Sequence, residues 1–210
     1  MNALPKPAIY LALLHYPVYN KHREVVTTAV TNIDVHDISR SGRTYGLEGV
    51  FFVTPIEAQQ GLVSELLEHW TDGPGCRANP VRAEAFRRSR IVASLDDVVE
   101  TVQRAHDGTP PELVATSARQ VEGMTGYEAY RERLRTPDIR PQVLLFGTGW
   151  GLLEEVLERA DTRLKPVQAE RWEGPTEAPY NHLSVRSAVG IVLDRLLGDR
   201  ATDDETGSGS

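Results

Sequence analysis

The chain has little of several features that would identify a protein class at once. Its 210 residues include one cysteine, Cys76, so an internal disulfide is excluded and a reducing compartment such as the cytoplasm is expected. No apolar run approaches the roughly 18 residues of a membrane-spanning helix, and the N-terminus lacks the long apolar stretch of a signal peptide. The net charge of −7 argues against a protein that coats nucleic acid by bulk charge, although it leaves room for a local basic site.

Several well-known catalytic and binding motifs are also missing. No cysteine and histidine cluster has metal-ligand spacing, so no metal is expected. The sequence has no P-loop lysine after a glycine-rich turn, no dinucleotide fingerprint after its first strand and no G-x-S-x-G nucleophile elbow. These absences disfavour an unrelated nucleotide-binding α/β protein and other enzymes that depend on such motifs.

Apolar runs alternate with helical patterns along the chain. Strands are predicted at 9–14, 49–53, 91–93, 113–116, 143–146 and 164–167, and helices at 31–41, 55–70, 94–105, 127–134, 152–159 and 182–197. Residues 15–27 and 71–79 carry proline, glycine or many polar side chains and are predicted as loops. The pattern predicts an α/β fold with a mainly parallel sheet flanked by helices. We expect one domain over 1–198 and a disordered tail over 199–210.

The most distinctive segment is a glycine turn that follows a buried strand. It lies between Leu144 and Leu152 and contains Gly147, Gly149 and Gly151. Glycine permits positive φ angles and lets a ligand approach the main chain. At the carboxyl end of an α/β strand, such a turn commonly forms the floor of a binding site, although a purely structural turn is the alternative.

Two further segments concentrate charged side chains. The helix predicted at 31–41, extended by a few residues, places Asp34, Asp37, Arg40 and Arg43 three residues apart, so that they lie near one another. Residues 77–90 hold five arginines and one glutamate, and arginine side chains match phosphate oxygens. This stretch is therefore the best local candidate for contact with a nucleic-acid backbone. A solvated, ion-paired surface is the alternative for both segments.

These segments, taken in order with the polar loop 180–190, resemble the motifs of the SPOUT class of S-adenosylmethionine-dependent RNA methyltransferases. Within that class the chain is similar to a bacterial subfamily of stand-alone enzymes with Leu-Leu-His-Tyr-Pro-Val-Tyr near the start, here Leu13 to Tyr19. The resemblance covers most of residues 8–198. In the ribose-methylating branch an arginine precedes a glycine by six residues, which Arg40 and Gly46 match.

The motifs also depart from that pattern at several positions. Asp34 stands where the ribose-methylating branch has an asparagine. Gly149 and Trp150 stand where a glutamate is common in the second motif. The third motif, usually Ser-Leu-Asn-Val-Ser, is His182-Leu183-Ser184-Val185-Arg186 here. The class is therefore better indicated than the acceptor atom.

The resemblance implies an α/β fold with a deep C-terminal trefoil knot, and a homodimer formed through that knot. It implies S-adenosylmethionine as methyl donor, S-adenosylhomocysteine as product, and donor contacts made mostly by the main chain. The implied donor-binding residues are Leu145, Phe146, Gly147, Thr148, Gly149, Trp150, Gly151, Val167, Tyr180, Asn181, His182, Leu183, Ser184 and Ser187. The implied catalytic residues are Arg40, Asp34 and Asp37, and the implied RNA-binding residues are Arg43, Arg77, Arg82, Arg87 and Arg88.

The function implied is methylation of a structured RNA such as tRNA or rRNA, with a ribose 2′-hydroxyl as the expected acceptor. Arg40 stays protonated, so its expected role is to stabilise developing oxyanion charge. Asp34, Asp37 or His36 could take the proton. Two alternatives stay open: transfer to a base nitrogen such as N1 of a tRNA guanine, which commonly recruits an aspartate, and a non-catalytic RNA-binding protein that keeps the fold.

Overall fold

A computed structural model describes residues 7–169 and 181–200. The strands of its main sheet are β1 (Ile9–Leu14), β4 (Gly49–Val53), β5 (Ser89–Val92), β6 (Glu112–Ala115), β7 (Gln142–Gly147) and β8 (Thr162–Arg163). Their spatial order is β5-β4-β1-β7-β6-β8, and all neighbours run parallel. Strands β2 (Val18–Tyr19) and β3 (Val25–Val26) form a separate antiparallel hairpin.

Helices cover both faces of the main sheet. They are α1 (Asn32–Thr44), α2 (Glu57–Thr71), α3 (Pro74–Ala78), α4 (Pro80–Phe86), α5 (Leu95–Ala105), α6 (Tyr127–Arg133), α7 (Glu154–Glu158) and α8 (Val185–Leu197). Buried side chains of α1, α2, α4, α6 and α8 form one apolar core, and those of α5 and α7 contribute to the other. The helices α1 and α8 therefore lie on the same side of the sheet, where they pack against each other.

Strand β1 occupies the centre of the sheet because its side chains are apolar on both sides. All six of its residues are buried, as expected for a parallel strand covered by helices on both faces. Leu13 pairs with Phe52 of β4 and with Phe146 of β7. Strand β7 ends at Gly147, so the glycine turn leaves the sheet beside its central strand.

The structure confirms the parallel α/β fold and most of the predicted elements. Either Thr31 or Asn32 could cap α1 by sequence, and the structure has Thr31, whose side chain accepts a hydrogen bond from the Asp34 N–H. Ser94 caps α5 and forms a reciprocal capping box with Asp97. Gly198 follows the end of α8, as predicted. Because the Thr31 and Ser94 side chains satisfy N–H groups that the first helical turn leaves unpaired, these two helix starts were visible in the sequence.

Three local predictions were wrong. The loop predicted at 15–27 contains the β2–β3 hairpin, and the loop predicted at 71–79 contains α3. Helix α3 begins at Pro74, where a missing N–H has no cost because the first turn has no partner for it. In the strand predicted at 164–167, Leu164 makes one isolated bridge, to Thr125, and the regular strand β8 ends at Arg163.

No helix within residues 7–169 and 181–200 combines the length and apolarity that crossing a membrane requires. The knot and the homodimer stay predictions.

Candidate active site

Two loops and the segment before α8 enclose a cavity of about 870 Å³, which we call the loop cavity. The loops are 116–126, which follows β6, and 147–153, which contains the glycine turn; the segment is 181–184. Tyr19 and Arg23 of the hairpin also line it. The cavity thus lies outside the carboxyl ends of central parallel strands, where open α/β sheets bind ligands.

The glycine turn has a backbone conformation that residues with a Cβ atom rarely adopt. Gly149 has a φ of 59° and Gly151 a φ of 103°, angles that favour glycine. A Cβ on Gly149 would lie 2.7 Å from the carbonyl oxygen of Tyr19, whereas one on Gly151 would meet nothing within 4 Å. Gly149 therefore permits close contact with the hairpin, and Gly151 leaves bare main chain on the wall of the cavity.

The hairpin is fixed to the turn by main-chain hydrogen bonds. The Trp150 N–H donates to the Tyr19 carbonyl at 2.8 Å, and the Tyr19 N–H donates to the Gly151 carbonyl at 3.0 Å. The hydroxyls of Thr28 and Thr148, 120 positions apart in sequence, lie 2.5 Å from each other. Distant parts of the chain thus form one wall of the loop cavity.

His15 contacts this wall through Thr28. It is completely buried, and its Nδ1 lies 3.0 Å from the Thr28 hydroxyl. Burial lowers the pKa of His15 to about 4, against smaller opposing effects of the Asp34 carboxylate and the Ala29 backbone. The imidazole is therefore neutral at pH 7, and its role is to hold Thr28 in place.

A second cavity of about 490 Å³, which we call the helix cavity, lies between α1 and α8. Its lining is mostly polar and consists of Asp37, Arg40, Ser41, Thr44, Tyr45, Ser184, Arg186 and Ser187. Ser184 and Arg186 also line the loop cavity. The two cavities therefore share a wall at the start of α8.

Arg186 forms ion pairs across this wall. Its Nη1 lies 2.7 Å from Asp34 Oδ1, and its Nε lies 3.5 Å from Asp37 Oδ2. The Asp34 side chain is 8% exposed, and its Oδ2 accepts a hydrogen bond of 2.5 Å from the Thr31 hydroxyl. Asp34 is thus fully engaged, while Asp37 is about half exposed. Asp37 is the more accessible carboxylate of the two.

A basic surface extends from α1 across α4. Arg43 pairs with Glu84 of α4, and the Arg43 guanidinium lowers the pKa of that carboxyl. Arg82 stacks over the Trp70 ring, 4.8 Å from its centroid. Arg77 and Arg87 are exposed. Helix α4, with Arg82, thus packs against the helix that carries Arg40, whereas Arg88 donates to the Leu47 carbonyl and pairs with Glu48, just before β4.

Among the residues that the structure describes, no group of three or more His, Cys, Asp or Glu side chains could hold a metal ion.

Comparison with known proteins identifies the family. Residues 8–198 match the family model described as SAM-dependent RNA methyltransferase. The chain belongs to this family. This result confirms the predicted membership of an S-adenosylmethionine-dependent RNA methyltransferase family.

Two relatives and one solved structure show how far the likeness extends. The chain is 46% identical over 195 residues to a tRNA (guanine-N(1)-)-methyltransferase of Oleidesulfovibrio alaskensis, covering 93% of the chain but 43% of that relative. It is 34% identical to an uncharacterized protein of Aquifex aeolicus, covering 93% of the chain and 91% of that protein. The chain thus spans less than half the length of the first relative.

The solved structure is the SpoU methyltransferase AviRb from Streptomyces viridochromogenes in complex with AdoMet. The TM-score is 0.50 at 16% identity, covering 91% of this chain and 57% of that chain. A likeness at this level of identity concerns the fold alone, which the chain shares with that SpoU methyltransferase.

Most of the predicted donor-binding residues lie together. Those that line the loop cavity are Phe146, Gly147, Thr148, Gly149, Trp150, Gly151, Val167, Asn181, His182, Leu183 and Ser184. Leu145 lies instead in the apolar core with α5 and α7, because alternate residues of β7 face opposite sides of the sheet. Ser187 lines the helix cavity, and Tyr180 lies outside the described residues.

The predicted catalytic residues fall in two places. Arg40 and Asp37 line the helix cavity, and Asp34 lines the loop cavity, where Arg186 holds it. His36 lines neither cavity: its ring packs edge-on against Phe86 at 4.8 Å between centroids, and burial, followed by the Arg82 charge, lowers its pKa.

Sequence reasoning missed two parts of the candidate site. The loop 116–126 lines the loop cavity with Ser117, Arg119 and Met124, among others, and it carries no recognisable motif. Arg186 lay within the third motif but was given no role, although its departure from the usual serine was a signal that could have found it.

Proposed function

We propose that the protein transfers a methyl group from S-adenosylmethionine to RNA, with the donor in the loop cavity and the acceptor nucleotide in the helix cavity. The observation that carries this proposal is the wall that the two cavities share at Ser184 and Arg186. Adjacent cavities let an enzyme hold donor and acceptor in line, and alignment alone can lower a barrier by several kcal/mol.

The residues of the loop cavity fit the donor. A volume of about 870 Å³ lies in the range of small-molecule sites, which combine apolar walls with a few polar groups. Phe146, Val167 and Leu183 provide apolar surface for an adenine, and the open main chain at Gly151 provides hydrogen-bonding groups. When bound, S-adenosylmethionine supplies a methyl group on a sulfonium centre that loses its positive charge on transfer.

Arg40 is suited to the acceptor. Its side chain is exposed, and it makes no ion pair with any described carboxylate, whereas Arg43 is paired with Glu84. It is therefore available to bind a phosphate or to stabilise negative charge that develops on the acceptor oxygen. The arginines of α3 and α4 extend the same surface and would hold the flanking RNA by its phosphates.

A ribose 2′-hydroxyl of a structured RNA such as tRNA is the acceptor that this arrangement favours. Two arginines, Arg40 and Arg186, face the helix cavity, where an alkoxide would develop. Asp37 is the accessible carboxylate that would take the proton, because Asp34 is buried and already engaged.

Transfer to N1 of a guanine is the second candidate. The Oleidesulfovibrio relative carries that activity in its name, and Asp37 could serve as its base. More than half of that relative lies outside the match, however, so its name alone does not assign the acceptor of this chain. Nucleoside analysis of methylated RNA separates the two candidates.

The same proposal includes a homodimer in the cytoplasm. Two exposed apolar side chains support an interface near the site: Ile33, 59% exposed, precedes Asp34, and Leu183, 46% exposed, precedes the first turn of α8. Sedimentation of the purified protein tests the dimer.

The deciding experiment is titration of the protein with S-adenosylmethionine and S-adenosylhomocysteine, followed by transfer of a tritiated methyl group to bulk tRNA and rRNA. Arg40→Ala is expected to lower turnover about a hundredfold or more, as for loss of one oxyanion-stabilising group, with donor affinity unchanged. Arg104→Ala, on the opposite face, is the matched control. Failure of the folded protein to bind either compound would contradict the proposal.

A further inference from the structure

Arg186 lies where a cation is poorly stabilised by its own helix. It is the second residue of α8, and the positive end of a helix dipole disfavours positive charge there. Asp34 and Asp37 of α1 compensate, at 2.7 and 3.5 Å. The position of the guanidinium is therefore determined by α1, although the residue belongs to α8.

Stability does not account for this arrangement. The Asp34 side chain is 8% exposed, and burying a carboxylate costs about as much as the attraction of its ion pair returns. A pair of apolar side chains would join α1 and α8 equally well. The ion pair instead holds the guanidinium at the boundary of the two cavities, which Arg186 lines on both sides.

The guanidinium keeps donors available. It has five N–H groups in a planar fork; Nη1 bonds Asp34, Nε faces Asp37, and Nη2 bonds no described residue. The side chain is 34% exposed and lines both cavities. A fork anchored on one side and open on the other is suited to bind an oxygen of a ligand that lies at the boundary.

We propose that Arg186 binds an oxygen of the acceptor nucleotide, on the ribose or its phosphate, where the two cavities meet. Asp34 and Asp37 orient the fork, so Asp34 is a positioning residue and not the base. This inference rests on the proposed function and adds a second arginine, on α8, to the acceptor site.

The test uses an uncharged pair of similar shape, Asp34→Asn with Arg186→Gln, compared with Asp34→Asn alone. The matched control is Asp96→Asn with Arg159→Gln, an exposed ion pair of 2.5 Å on the opposite face between α5 and the residue that follows α7. Each variant is measured for melting temperature, S-adenosylmethionine affinity, tRNA affinity and methyl transfer.

The double variant at Asp34 and Arg186 is expected to bind the donor within about threefold of the wild type and to lose about 100-fold in turnover. Asp34→Asn alone, which keeps the cation but loosens it, is expected to lose about tenfold. The control pair should change neither quantity. The double variant should also bind tRNA about fivefold more weakly, because one charged contact is gone.

Turnover within about threefold of the wild type in the folded double variant would overturn the inference and make the ion pair structural. A loss confined to donor affinity would also overturn it, since the guanidinium would then bind the donor carboxylate. A wild-type protein that binds no donor and methylates no RNA would count against the proposed function itself. In that case unchanged tRNA affinity of the double variant would separately overturn the role of Arg186.

Discussion

Replacing Gly149 with alanine is expected to loosen the hairpin from the glycine turn. Its φ of 59° costs an L-residue about 1–2 kcal/mol. The new Cβ would lie 2.7 Å from the Tyr19 carbonyl oxygen, and moving that oxygen breaks its hydrogen bond to the Trp150 N–H, worth about 1 kcal/mol. The free energy of unfolding should therefore fall by about 2–3 kcal/mol, which lowers the melting temperature of a chain of this size by about 5–10 °C.

Thermal unfolding followed by circular dichroism measures this effect, with Gly108→Ala as the control. Gly108 also has a positive φ, 86°, but a Cβ there would meet nothing within 4 Å, so only the conformational cost applies. Its melting temperature should fall by about half as much. Gly149→Ala should also weaken S-adenosylmethionine binding about tenfold, whereas Gly108→Ala should not. Equal melting temperatures and equal donor affinities would refute the reasoning.

Two further predictions concern pH and salt. The pKa of His15 is about 4 in the folded protein and near 6.5 in the unfolded chain, so the unfolded chain binds the extra proton and the free energy of unfolding should fall by up to about 3 kcal/mol as the pH drops from 6.5 to 4. In denaturant titrations, the His15→Asn variant should lose this part of the pH dependence. An equal pH dependence in the variant and the wild type would contradict the prediction. Arg77→Glu and Arg87→Glu should each reduce the slope of log tRNA affinity against log salt concentration by about one unit. Arg104→Glu, on the opposite face, should leave the slope unchanged. Equal slopes in all three variants would show that Arg77 and Arg87 do not contact RNA phosphates.

The predictable parts of the fold are those in which local chemistry decides the conformation. The apolar run of β1 and the caps Thr31 and Ser94 can be read without knowing any neighbour, since burial and N–H pairing impose them. The hairpin could not be read in this way. Its strands are two residues each, and they are stabilised by the glycine turn rather than by their own pattern.

The candidate site shows the same division. The glycine turn could be predicted because backbone positions with positive φ favour glycine, and glycine can be read directly from the sequence. The ion pair between Asp34 and Arg186 joins residues 152 positions apart. The periodicity of apolar residues along the sequence does not predict contacts between residues so far apart. Leu145 illustrates a third case: the run was recognised, but the alternation of faces along β7 placed this side chain in the opposite core.

The central position of β1 has a consequence for synthesis of the protein. Ile9 pairs with Gln142, so at ordinary rates of translation the first strand waits on the order of ten seconds for its second neighbour. During that time the main-chain N–H and C=O groups on the β7 side of β1 have no native partner. The wall that joins Tyr19 to Trp150 must wait longer still. The methyl donor that we propose to bind in the loop cavity can therefore stabilise the chain only after this wall has formed.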